Sequence, residues 1–261
     1  MKIFGRAIAT CQFELKRSMT PQRLSISAVL SLFPPVMLVL MTSISRASNT
    51  FSSTEFLVVF LVAMVCMLSL LLWATPNVST ELEGRSWMFI ASRPQGRLSN
   101  VLGKYFASVI FSFSICLIAT TICIPLAVLL EQVQDPIRLW ISYNTIFLLA
   151  CITYGAVLSL IGTLFYRRAM VIGAAYILGF EAIVGRIPAV IGKISASHHL
   201  QNLGMHWNPL LKLQIDSFFE IPTALTEQWI SFSALGAITL IGIVTACLVI
   251  ATREYASAED A

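Results

Sequence analysis

Charge is scarce in this chain. Asp, Glu, Lys and Arg supply 11% of its 261 residues, against about 25% in an ordinary soluble domain. Hydrophobic residues supply 57%, and the mean hydropathy is +0.82. Long polar stretches are also missing, so no soluble nucleotide-binding domain fits between the apolar runs. A phosphate-binding loop is absent as well. Gly103-Lys104 has the right pair, but Leu98 stands where the motif needs glycine and Tyr105 where it needs Ser or Thr. The six cysteines are scattered: Cys66, Cys116, Cys123, Cys151 and Cys247 lie in apolar runs and Cys11 lies near the N-terminus. None has a neighbour at metal-ligand spacing, and none sits in an exterior loop suited to a disulfide. They read as small apolar filler. A cleavable signal peptide is not expected, because the first apolar run begins only at Leu24 and is too long for a signal-peptide core. Nucleic acid is not an expected partner: the net charge of +4 is spread over short segments between apolar runs.

What the chain does have is six long apolar runs: Leu24–Ile44, Phe56–Thr75, Val101–Leu130, Leu139–Tyr166, Ala169–Ile187 and Trp229–Ala251. Each is close to or above the roughly 20 residues that a helix needs to cross a bilayer. A soluble chain of this length cannot bury so much all-round apolar surface. The expectation is an all-α membrane protein, a single transmembrane domain over 1–261 with six spans. Twelve of the 17 basic residues fall on one side of that layout. They are Lys2, Arg6, Lys16, Arg17 and Arg23, then Arg85, Arg93, Arg97 and Lys104, then Arg167, Arg168 and Arg253. Arg46, Arg138, Arg186, Lys193 and Lys212 fall on the other. The positive-inside bias then predicts both termini in the cytoplasm.

Ahead of the first run, Phe4, Ile8, Cys11 and Leu15 recur at helical spacing while Lys2, Arg6, Lys16 and Arg17 lie off that face. This predicts a helix lying in the membrane interface. Thr20-Pro21 should end it, and Pro34-Pro35 should kink the first span.

The segment after the second run is rich in signals. Thr80 and Glu83 have the spacing of a capping box, and Glu81 suits a helix N-terminus. Leu82, Arg85 and Phe89 would share one face and Trp87 and Ile90 another. So short a helix cannot bury these side chains alone; it needs the membrane interface or a partner's groove. Glu81-Leu82-Glu83-Gly84-Arg85, then Ser92-Arg93-Pro94-Gln95-Gly96-Arg97, then Leu102-Gly103-Lys104 resemble a stretch of the permease subunits of type-2 ABC exporters. The order of an interfacial helix, six spans and a long exterior connection between spans five and six is similar to that family's layout.

The resemblance implies a non-enzymatic transport subunit of a bacterial inner membrane. Two permease copies, identical or related, would pair there and bind an ABC ATPase subunit that holds the ATP and magnesium. It places Glu81, Glu83, Gly84 and Arg85 on a cytoplasmic coupling helix and Arg167 and Arg168 in a second cytoplasmic turn. The bulky run Trp87-Met88-Phe89-Ile90 departs from the family's pattern.

Glu181 is a carboxylate deep in the fifth run. By insertion scales it costs on the order of 3 kcal/mol in hydrocarbon, so it is expected to line a substrate path or to meet a polar group on another span. The bland alternative is a helix-end residue near Arg186. Gly155 with Ser159, and Gly173, Gly179 and Gly185, suit close helix packing. The exterior connection carries His198, His199, His206, Asp216 and Glu220, but His198-His199-x6-His206 is not a helical ligand pair. Leu210, Leu213, Phe218 and Phe219 suggest short exterior helices dipping into the outer leaflet. The alternatives to transport are an intramembrane enzyme using Glu181 with the exterior histidines, and a membrane scaffold without substrate.

Overall fold

The computed structural model describes residues 2–48, 54–83, 87–92, 95–130, 135–181, 194–208 and 226–253. Every regular element among them is helical. In chain order these are α1 (Lys2–Ser18), α2 (Pro21–Ser48), α3 (Thr54–Ala74), α4 (Ser79–Glu83), α5 (Trp87–Ala91), α6 (Gly96–Leu130), α7 (Pro136–Leu164), α8 (Ala169–Ala175), α9 (Ala196–Trp207) and α10 (Gln228–Thr252). A 3-10 turn, Thr75–Asn77, continues α3, and a π-helical segment, Tyr176–Glu181, continues α8.

Five of these helices, α2, α3, α6, α7 and α10, are long and apolar enough to cross a membrane. Their outer faces carry side chains such as Val29, Val36, Leu240, Ile241 and Leu248, all exposed. Water would penalise such surfaces, whereas acyl chains would not. The architecture suits an all-α membrane protein. Within the fifth apolar run, Ala169–Glu181 is helical. Residues 182–187, with Gly185 and Arg186, lie outside the described residues.

Proline marks two of the helix starts. Pro21 opens α2 and Pro136 opens α7, where the missing N–H leaves no intrahelical bond unmade. Pro34 and Pro35 both lie inside α2, and neither ends it. At about 1.5 Å per residue, the 35 residues of α6 reach about 52 Å, well beyond a hydrocarbon core of about 30 Å. This helix starts five residues before the expected span, Val101–Leu130, and Ser99, Asn100, Val101, Gly103 and Lys104 in its first turns are buried, which positions the site described below.

α6 is the spine. α1, α2, α3 and α7 pack on it, and α7 in turn carries α9 and α10. Close approach depends on glycine at two points. A Cβ at Gly103 would lie 2.8 Å from the carbonyl oxygen of Ala7, so α1 can rest directly on α6. A Cβ at Gly162 would run into the carbonyl of Thr75, so the 3-10 turn sits on the backbone of α7. Gly162→Ala is expected to cost about 1–3 kcal/mol by overpacking, measured by denaturant unfolding in detergent. An unchanged midpoint would show that the turn relaxes freely. Gly155 and Gly173 also pack closely, against Val109 and Leu71 respectively, while Gly179 faces open space.

The expected N-terminal helix forms as α1, but the face it packs differs from the expected one. Ala7, Cys11 and Ser18 of α1 are buried, and Leu15 packs with a small cluster centred on Val65, Phe111 and Ile115. Phe4 and Ile8 stand exposed instead of joining that face. Burial pushes the Cys11 thiol up from its ordinary value, which makes it a poor nucleophile.

Candidate functional site

Two polar assemblies stand out, and both touch α7, the first at Ser159 and the second at Tyr154. The first sits at the basic end, where α3 terminates. Pro76 leaves helical geometry within the 3-10 turn, and the chain restarts as α4. Asn77, fully buried, donates through Nδ2 to Ser159 Oγ on α7 at 3.1 Å. Its carbonyl accepts from Lys104 Nζ at 2.9 Å.

Lys104 comes from the first turns of α6, and its ammonium spends its three donors nearby. Besides Asn77, it donates to Thr80 Oγ1 at 3.2 Å and to Glu81 Oε1 at 2.6 Å. Arg17 of α1 reaches the same Glu81 oxygen at 3.4 Å, and Glu14 Oε1 lies 3.6 Å from Arg17 and 3.8 Å from Lys104. Two cations and two carboxylates thus balance across α1, α4 and α6. The Lys104 and Glu81 side chains are only 6% and 7% exposed. A charge pair this dry is tolerable because each charge has its counterpart and hydrogen-bond partners.

Glu81 therefore faces inward, into the fold, where the sequence placed it on a coupling helix without fixing its direction. Thr80 does not cap: it lies inside α4, and its hydroxyl donates to the Pro76 carbonyl. The side chain of Glu83, and all of Gly84 and Arg85, lie outside the described residues. Trp87 of α5 does not need an outside groove. It is buried with Val78, Val101, Ala246 and Ile250, beside Leu82, Leu98 and Tyr166. Phe89, by contrast, is 72% exposed.

That same cluster connects the loop to the turn after α7, because Tyr166 belongs to both. Arg167 and Arg253 lie over the Tyr166 ring at 5.8 and 5.7 Å, and Arg253 also donates to the Leu164 carbonyl. Arg167 and Arg168 are exposed. Glu81, Trp87, Phe89, Arg167 and Arg168 thus belong to one end of the molecule, gathered from three separate stretches of chain.

The second assembly surrounds Glu181, which is 2% exposed. In a π-helical segment the i to i+5 bond brings residues five apart onto nearly one face. Tyr176 accordingly donates to Glu181 Oε1 at 2.6 Å. Oε2 accepts from Ser195 Oγ at 2.7 Å, from the Ser197 backbone N–H at 3.1 Å and from Tyr154 OH of α7 at 3.3 Å. Ser195 is the N-cap of α9, so the carboxylate also meets the positive end of that helix. Of the two functional expectations for Glu181, a polar partner on another span is present in Tyr154. Arg186, the partner in the bland alternative, lies outside the described residues.

His199 and His206 serve α9. His199 Nδ1 lies 3.3 Å from Ser231 Oγ, and His206 Nε2 lies 2.8 Å from the Thr226 carbonyl. Asn202 bonds both the Thr226 carbonyl and Ser231, tying α9 to the start of α10. Asp216, Glu220, Leu210, Leu213, Phe218 and Phe219 lie outside the described residues. Among the described residues, the one group of three or more metal-capable side chains is Cys66, Cys116 and Cys151. Sequence spacing could not reveal it, because the three thiols come from three different helices. Tyr154 and Ser195 were missed for the same reason. Lys104 left a signal: a lone cation near the start of an apolar run needs a partner.

No family model and no curated protein matches this chain.

Proposed function

We propose that this chain is the permease subunit of an ATP-driven ABC exporter. In this reading it has six spans and cytoplasmic termini in a bacterial inner membrane. It pairs with a second permease copy and binds an ABC ATPase that holds ATP and magnesium. The observation that carries the proposal is the Lys104–Glu81 pair at 2.6 Å. It fastens the loop after α3 to α6, while Arg17 adds α1, so a push on that loop would reach two elements at once. A loop that merely joined two spans would not need a buried ion pair to hold it. The exposed Phe89, with Arg167 and Arg168, supplies the face for the ATPase. Glu83, Gly84 and Arg85 belong to the same contact.

Glu181 lies beneath the N-cap of α9, and in the proposed cycle it meets the substrate path when α9 lifts from α7. The chain itself carries out no chemistry.

Affinity purification of the tagged full-length chain from its native membranes tests the proposal. A phosphate-loop ATPase should co-purify, with ATP hydrolysis in the eluate. Phe89→Glu should abolish that association while leaving the melting temperature of the permease unchanged. The absence of any such ATPase from the wild-type eluate would overturn the assignment.

A further inference from the structure

Three helices of the core each send one thiol to the same point. Cys66 comes from α3, Cys116 from α6 and Cys151 from α7, at 1%, 0% and 0% exposure. Their sulfurs all lie within 4.8 Å of one another, and Cys66 Sγ is 3.5 Å from Cys151 Sγ. Cys123 and Cys247, the other cysteines of the apolar helices, do not join the group.

We propose that Cys66, Cys116 and Cys151 form a binding site for one monovalent soft metal ion, copper(I). Metal–sulfur bonds of about 2.3 Å in a trigonal plane hold three sulfurs about 4.0 Å apart. That value lies inside the range the thiols already span, so sub-ångström shifts suffice. The donor set selects the ion type, since soft thiol sulfur favours copper(I) over hard cations.

Ligand count narrows the choice further. Zinc requires four ligands in a tetrahedron, and this group offers three sulfurs without a carboxylate or imidazole. Copper(I) accepts three. Each of the three thiols bonds copper(I) as a thiolate and releases its proton to water, so three protons leave as one ion enters, no electron is transferred, and affinity should rise with pH.

The test uses the purified full-length chain in detergent, without oxygen, titrated with copper(I) against a chromogenic copper(I) chelator. The expected result is one copper per chain, with X-ray absorption showing sulfur neighbours only. Cys66→Ala, Cys116→Ala and Cys151→Ala should each weaken binding more than about 100-fold, beyond the loss typical of an outer-shell partner. Cys123→Ala and Cys247→Ala should bind as the parent does. Melting curves without metal verify that each variant is folded, and added copper(I) should raise the parent's melting temperature but not that of the Cys66→Ala/Cys151→Ala double variant. Less than stoichiometric copper on the parent, or binding that survives in the double variant, would overturn the site.

Discussion

Lys104→Met is expected to cost about 3–5 kcal/mol of folding stability, because it leaves the Glu81 charge buried without its partner. Arg17, whose side chain is 41% exposed and 3.4 Å away, is a weaker counterpart for the Glu81 charge. At about 1.4 kcal/mol per tenfold, the folded-to-unfolded ratio would fall by about two to three and a half orders of magnitude. Denaturant unfolding in detergent measures it. Pairing the change with Glu81→Leu should recover much of the loss, since two apolar side chains of similar volume need no desolvation. The double variant is then the sharper functional experiment. If the ion pair couples the loop to α6, ATPase association should persist while substrate-driven hydrolysis falls, although the fold is intact. A Lys104→Met variant within about 0.5 kcal/mol of wild type would mean that the pair is not dry.

Glu181→Ala should be nearly as damaging. It takes the carboxylate acceptor from the hydroxyls of Tyr154 and Tyr176 and leaves Ser195 and Ser197 bonded to each other without it. Hydrogen bonds to a charged acceptor are worth about 1.5–3 kcal/mol each and do not add simply, so a loss of about 3 kcal/mol or more is expected. The damage should be local: amide exchange across α9 should accelerate before that of α6 and α7. Glu181→Gln keeps one acceptor oxygen and most of the shape, so it should fold and lose much less. In the proposed exporter, that milder variant should change substrate-stimulated ATP hydrolysis, because the charge beneath α9 is gone. Wild-type turnover in Glu181→Gln would reduce the residue to a structural clasp. Slow exchange in α9 of Glu181→Ala would remove even that role.

Much of the fold was legible because the bilayer imposes a simple rule on composition. Apolar runs of about 20 residues can only be helices there, and five of the six runs contain a helix long enough to span. The break at Thr20-Pro21 was legible for an equally local reason, the fixed φ of proline and its missing donor. The facing of short amphipathic pieces was less so. Phe4 and Ile8 share a helical face with Cys11, yet only Cys11 lies against the bundle. Periodicity gives a face but not what covers it. Thr80 shows the same limit, since a capping box is a spacing of two residues and the true start of α4 depends on the turn at Pro76.

The sequence by itself determined the class of this protein, its apolar helices, the lopsided distribution of its basic residues and the oddity of a carboxylate at position 181. All of these are properties of single residues or of near neighbours along the chain. Only the tertiary structure decided that Lys104 closes on Glu81, that Ser195 at the start of α9 bonds Glu181, and that three thiols from α3, α6 and α7 meet. The physical reason is distance along the chain. Lys104 and Glu81 are 23 residues apart and Cys66 and Cys151 are 85, and no local pattern encodes which faces of two helices will touch. That is set when α6, α7 and their glycines allow the backbones to close.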